Sequence, residues 1–299
     1  MSSFKDLSVE YDVGSLYEGG IKVFVESEDD LAILRDKWFF NHKDVLSFES
    51  VADPGGGSGG CCKVIDQVQE FAGDGRPAFG IVDRDVLLQE ESCRESLWWE
   101  VDDASFAAAH PYGESVHILQ RWELENYLLQ PDAVRQWLKD KLCSPNEPNF
   151  TATNMLELEA DFITLSCINT LAVPKAKTAP SDQFGLDKSG QELREAILKH
   201  FSSSEEEIAG HYLKIQAFAE ENDLPEKRWD RLSRMLDGKR VLHRLSFHLG
   251  NDLKNKNLNM FGDRGIIAGY IANNGSIDAE LIETINGFAK GRYGSSLES

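Results

Sequence analysis

Two pairs of carboxylates set two residues apart, Asp83-x-Asp85 and Glu123-x-Glu125, together with Glu26 at the end of an apolar run, have the types and spacing for chemistry in this 299-residue chain. Carboxylates without His or Cys partners select hard cations, so Mg²⁺ or Mn²⁺ is expected rather than zinc. Such ions bridge a phosphodiester, lower the pKa of a bound water and stabilise a leaving oxygen. Gly80-Ile81-Val82-Asp83-Arg84-Asp85 reads as one strand, in which alternation sends Asp83 and Asp85 to one side and Arg84 to the other. An acid after a strand is also often only a helix cap. Glu123 and Glu125 read equally as polar positions on an edge strand or a first helical turn.

The elements that must position these groups follow a strand-helix-strand rhythm. Ile21-Lys22-Val23-Phe24-Val25 is a short apolar strand ending at Glu26. In parallel sheets of this kind the strand C-termini line up at one edge, where ligands bind, so Glu26, Asp83 and Asp85 are expected to converge. After Glu26, Ser27 caps a helix with Asp30 three residues on, and Leu31, Leu34 and Trp38 fall on one face. A second strand, Val45 to Val51, runs into the glycine-rich loop Asp53 to Gly60 and a helix carrying Val64, Ile65, Val68 and Phe71. The glycines invite a phosphate-cradle reading, but the Walker pattern needs Gly-Lys before Ser or Thr, and Lys63 follows two cysteines. Ser115 to Leu119 reads as another strand, and Pro131 opens a helix with Val134 and Trp137.

From residue 151 the chain reads as mainly helical, which predicts an α/β domain over 1–150 and a helical domain over 151–299 for substrate binding, partner binding or dimerisation. Capping patterns at Ser189-x-x-Glu192 and Ser204-x-x-Glu207 start two helices, with Pro174 to Lys188 as a surface connector before them. The whole chain has 31 basic and 51 acidic side chains, a net charge of −20. That balance argues against a protein that coats nucleic acid by bulk attraction. Between Pro225 and Lys256 the sign reverses, with nine Lys or Arg against four Asp or Glu. On a helix from Glu226 to Leu236, Trp229, Leu232 and Leu236 share one face and Lys227, Arg231 and Arg234 the other. Asp237-Gly238 reads as a stop, and Lys239-Arg240 opens the next helix. Lys227, Arg231, Arg234 and Arg240 are thus either a nucleic-acid-binding surface or an ordinary solvated face.

The five cysteines form neither a Cys-x-x-Cys pair nor an even framework. No apolar run approaches a membrane span, and the opening residues lack a signal-peptide core, so a cytoplasmic protein is expected.

The combination of Val25-Glu26-Ser27-Glu28-Asp29-Asp30, the Ile81 to Asp85 segment and Glu123-Leu124-Glu125-Asn126-Tyr127-Leu128-Leu129 resembles the TOPRIM-like nucleases found beside ATPases in bacterial defence operons. Ser27 departs from the glycine usual in that family's opening motif. The resemblance implies a mostly parallel TOPRIM-like sheet flanked by helices and a Mg²⁺-dependent nuclease, with Glu26 the essential acid as base or ligand. Asp83 and Asp85 would be metal ligands, with Glu125 or Glu123 as the third-cluster carboxylate. Gly238-Lys239 resembles a Gly-Lys segment of relatives whose lysine lies near the metal. It further implies a toxic antiviral effector held by an ABC-type or AAA-like ATPase sensor, homodimeric when active, with nucleic acid such as tRNA as target. The alternative is a TOPRIM-like assembly subunit of the ATPase complex without catalysis of its own.

Overall fold

The computed structural model describes residues 20–52, 60–143, 148–219, 223–255 and 257–291. Residues 53–59, which carry most of the glycine-rich loop, lie outside them. The chain forms two compact units, one comprising Met1–Val82, Tyr112–Ile118 and Asp278–Ser299, the other Asp83–Pro111 and Leu119–Ile277. These units divide the chain after Val82, at both ends of the 112–118 segment and after Ile277, not near residue 150. A few apolar strands distant in sequence must pair to make a sheet, and the segments between them fold as a body of their own.

The first unit is built on four parallel strands, β1 (Ile21–Val25), β2 (Leu46–Ser50), β3 (Ala78–Val82) and β4 (Val116–Ile118), in the order β2-β1-β3-β4. The expected α/β architecture is therefore present, with helices flanking an all-parallel sheet. Strand β3 is buried along its whole length, as a strand covered on both faces requires. Helix α1 (Glu28–Ile33) starts at the expected capping box, in which Ser27 and Asp30 bond each other's main-chain amides at 3.1 Å. It passes into a π-helical segment, Leu34–Trp38, and Leu31, Leu34 and Trp38 are all buried. Helix α2 (Cys61–Gly73) lies so close to β3 that a Cβ on Gly80 would stand 2.7 Å from Val64 Cγ1. Near the C-terminus, helix α13 (Ala279–Ala289) returns to the sheet, stacking Phe288 on Phe79 at 4.3 Å and bringing Glu280 within 2.8 Å of His117 Nε2.

The second unit is helical: α3 (Glu91–Ser96), α4 (Asp103–Ala108), α5 (Pro131–Lys141), α6 (Ala152–Leu156), α7 (Glu159–Ala172), α8 (Gly190–Phe201), α9 (Glu205–Ala217), α10 (Pro225–Ser233), α11 (Gly238–Asp252) and α12 (Arg264–Asn273). Pro131 sits in the first turn of α5, and Val134 and Trp137 are buried, as their spacing predicts. The Ser204-Glu207 capping box forms, whereas Ser189 starts α8 without a side-chain cap bond. Trp229 and Leu232 of α10, and Leu236 just beyond it, face the core, and Trp229 Nε1 donates to the Leu129 carbonyl at 2.7 Å. Among the described residues no helix is long and apolar enough to cross a membrane.

Candidate functional site

Strand β3 stops at Val82, and Asp83, with φ −63° and ψ 148°, begins a 3₁₀ turn over Arg84–Leu88. This corrects the expectation that Asp83 and Asp85 extend the strand and project together from it. The cause is Arg84, 2% exposed, whose guanidinium donates to the carbonyls of Gln120, Leu97, Trp98 and Glu100 at 2.8 to 3.2 Å and stacks on Phe106 at 4.1 Å. Its main-chain N–H goes to the Trp122 carbonyl at 2.8 Å, so the chain leaves the sheet register to meet a different partner.

The Glu123-x-Glu125 pair also lies in a 3₁₀ turn, Leu124–Leu128, entered at Glu123. Asn126 fixes this turn. Its Oδ1 accepts from the Glu123 amide at 3.0 Å, while Nδ2 donates to the carbonyls of Ser233 and Leu236 at 2.6 and 2.7 Å. That clamp ties the acidic turn to the connection between α10 and α11. Gly238 makes the approach possible, because a Cβ there would stand 2.8 Å from Asn126 Oδ1 and 2.9 Å from Glu125 Cβ. The next residue then reaches the acids: the Lys239 amide donates to Glu123 Oε1 and its ammonium to Glu123 Oε2, both at 2.7 Å. An anion at the first turn of α11 also meets the positive end of that helix.

Around Lys239 the charges are crowded. Its Nζ lies 3.8 Å from Glu125 Oε2, and Arg264 holds the other Glu125 oxygen at 2.5 Å. Burial alone would lower the Lys239 pKa, but Glu123, Glu125 and Asp83 outweigh it and hold the ammonium well above the ordinary lysine value. Burial pushes the Asp85 carboxyl up, with Lys239 opposing and Asp237 adding to the rise. The side chains of Glu123 and Glu125 are only 5% and 3% exposed, while that of Lys239 is 35% exposed. Solvent, or a ligand, therefore meets this cluster at the ammonium.

Asp83, Asp85, Glu123, Glu125 and Lys239 thus belong to one unit and share one electrostatic environment. Glu26 follows β1 in the first unit and is half-buried. Arg240 does not belong on a nucleic-acid-binding surface: it is 1% exposed, bonded to Asp237 at 3.0 Å and to the Pro180 and Ser181 carbonyls at 2.8 Å. Asp237, read from sequence as part of a helix stop, is the N-cap of α11 and accepts from the Arg240 amide. Arg231 and Arg234 of the expected basic face both pair with Asp103, at 2.8 and 2.5 Å, and only Lys227 of that face is fully exposed. Sequence reasoning missed Arg264, which no local pattern connects with Glu125, and Asn126, which stands inside the acidic motif without a charge to mark it.

Among the described residues no three His, Cys, Asp or Glu side chains gather closely enough to cage an ion. The donor set nevertheless suits a hard cation, since Mg²⁺ commonly binds through one or two carboxylates, several waters and a substrate phosphate. No protein-family model matches the chain, and no curated protein sequence matches it.

Proposed function

We propose that this chain is a metal-dependent nuclease of the TOPRIM type, the toxic effector of an anti-phage defence system. One observation carries the chemistry: two cations, Lys239 and Arg264, share an environment with four carboxylates, Asp83, Asp85, Glu123 and Glu125. Burial pushes the Asp85 and Glu123 carboxyls up, a cost that a bound divalent ion would offset. Lys239 and Arg264 engage Glu123 and Glu125, and the half-buried Asp83 and Asp85 are the carboxylates assigned to Mg²⁺ or Mn²⁺. When bound, such an ion supplies Lewis-acid stabilisation of a phosphodiester and an acidified water. The exposed part of Lys239 meets the phosphate, and its pairing with Glu123 fixes where the ammonium stands. Glu26 is assigned as the essential acid by the family resemblance.

That resemblance extends to AriB, the effector of the PARIS anti-phage system, and supplies the rest of the reading: an AriA-like ATPase that holds the effector until infection, dimerisation on release, and structured RNA such as tRNA as target. The deciding experiment incubates the purified chain, with and without Mg²⁺, with labelled tRNA, single-stranded DNA and duplex DNA. Metal-dependent cleavage of tRNA is expected. No cleavage of any substrate, together with co-purification with the ATPase, would instead support an assembly subunit. Expression alone and beside the ATPase tests control in trans, since equal tolerance by cells and no co-purification would end the held-effector reading.

A further inference from the structure

Helix α11 carries a second feature beyond the carboxylate cluster. Lys239 lies in its first turn, and His243, Phe247 and Asn251 follow at steps of four, which places them along one slowly drifting stripe. These last three, with Gln183, Asn259 and Phe261, line a cavity of about 720 Å³, within the range of small-molecule sites. Although the chain carries a net charge of −20, the described lining residues include no Asp, Glu, Lys or Arg. Such a lining suits a neutral, planar group with hydrogen-bonding edges, although Asp182, Arg240 and Arg264 act on its His243.

The aromatic walls differ. Phe261 is half-buried, with His243 stacked on it at 4.6 Å and the Arg264 guanidinium 3.9 Å from its centroid. Phe247 is 40% exposed. Around it stand carboxamides, each able to offer both a donor and an acceptor. Asn259 Oδ1 accepts from the Gly262 amide at 3.0 Å, which leaves its Nδ2 to donate. The Ser246 hydroxyl is committed, donating to the Leu242 carbonyl at 2.7 Å and accepting from the Met260 amide at 2.8 Å.

We infer that this cavity is a nucleobase-binding pocket, in which a base stacks on Phe247 while Gln183, Asn251 and Asn259 meet its edge. Proteins that grip single-stranded segments use such aromatic platforms and carboxamides. Resting on the nuclease reading, the pocket would hold an unstacked base of the strand whose phosphate meets Lys239, about 12 Å away along the axis of α11. Arg264 joins the two places, since it packs on Phe261 and holds Glu125.

The test uses the full chain without metal and titrates adenosine, guanosine, cytidine and uridine separately, read by saturation-transfer NMR and calorimetry. Wild type is expected to bind at least one nucleoside. Phe247→Ala should weaken binding about tenfold, and Asn251→Ala should change the order of preference. Both positions are exposed, so thermal melts should stay unchanged. Absence of nucleoside binding by the wild type, or binding that neither substitution alters, overturns the pocket. Because the titration needs neither metal nor cleavage, a chain that binds nucleosides but cuts nothing would sink the nuclease reading and keep the pocket. Cleavage without nucleoside binding would do the reverse.

Discussion

The second unit buries cations in two ways, and the contrast separates scaffold from site. Arg84 spends its terminal nitrogens on four main-chain carbonyls, and the Arg240 guanidinium meets two carbonyls and the carboxylates of Asp237 at 3.0 Å and Asp182 at 3.7 Å. Arg84 is held by main-chain dipoles, and Arg240 by dipoles together with Asp237 and Asp182, so both guanidiniums serve to lock backbone segments in place. Lys239 instead faces Glu123, Glu125 and Asp83, and it shares Glu125 with Arg264. A scaffold gains nothing from such a surplus, because repulsion among buried like charges opposes folding. A site that takes a further cation and a phosphate does gain from it.

The sharpest way to break this contrast is to neutralise one acid on the surplus side. Asp83→Asn is expected to lower Mg²⁺-dependent cleavage by about two to three orders of magnitude, while the melting temperature stays level or rises as repulsion is relieved. Glu26→Gln should do the same to cleavage. Near wild-type rates for both variants, measured beside an EDTA control, would remove these carboxylates from the chemistry.

On the scaffold side the expected signs are opposite. Arg84→Met leaves four carbonyls without their shared donor and should cost about 3 kcal/mol or more, read as a drop in urea midpoint at unchanged slope. A loss below about 1 kcal/mol would mean that Arg84 does not organise the turn after β3.

Much of the scaffold was legible because its signals are local. The Ser27 and Ser204 capping boxes, Pro131 and the Trp229-Leu232-Leu236 face each act through residues a turn or two away. The end of β3 was not legible. Arg84 meets its partners 13 to 36 residues downstream, and nothing in Val82-Asp83-Arg84-Asp85 announces them. The same holds for the site: acids at spacing two marked Asp83, Asp85, Glu123 and Glu125, and Gly238-Lys239 was suspected by resemblance. Arg264 stands 139 residues from Glu125 and left no trace in either segment. Arg240 was misread because a basic residue at a helix start looks the same whether it faces solvent or folds back on an Asp three positions earlier.

A half-buried basic group that is kept uncharged sharpens the contrast, since His211 is held neutral. Burial, with Lys214 nearby, lowers its pKa from 6.5 to about 4, and Thr170 Oγ1 lies 2.8 Å from its Nδ1. Because the unfolded chain takes up this proton first, the associated stability is complete above pH 6.5 and is lost as pH falls toward about 4. The loss should be of order 2 kcal/mol. Comparing urea midpoints of wild type and His211→Gln across that window isolates it, and identical pH slopes would show that His211 is solvated.

The smallest effect is expected on the exposed face of α10, where sequence alone allowed a substrate-gripping surface. Lys227, Arg231 and Arg234 were candidates for phosphate contact, and each such contact released on reversal would flatten the salt dependence of binding by nearly one counterion. Arg231 and Arg234, however, share Asp103, and Arg234 also approaches Asp230 at 3.5 Å. Cations already neutralised by neighbours have few counterions to release, so only Lys227 retains an unshared charge for a phosphate. Lys227→Glu should therefore change the salt slope by at most about one unit. Arg234→Glu should lower stability, because the new carboxylate would face Asp103 and Asp230, and scarcely alter the slope. Measuring nucleic-acid binding between low and physiological salt distinguishes the cases. A slope that falls by two or more in the triple reversal would mean that Asp103 releases both arginines when a polyanion arrives, and would move this face from the satisfied class to the surplus class that Lys239 defines.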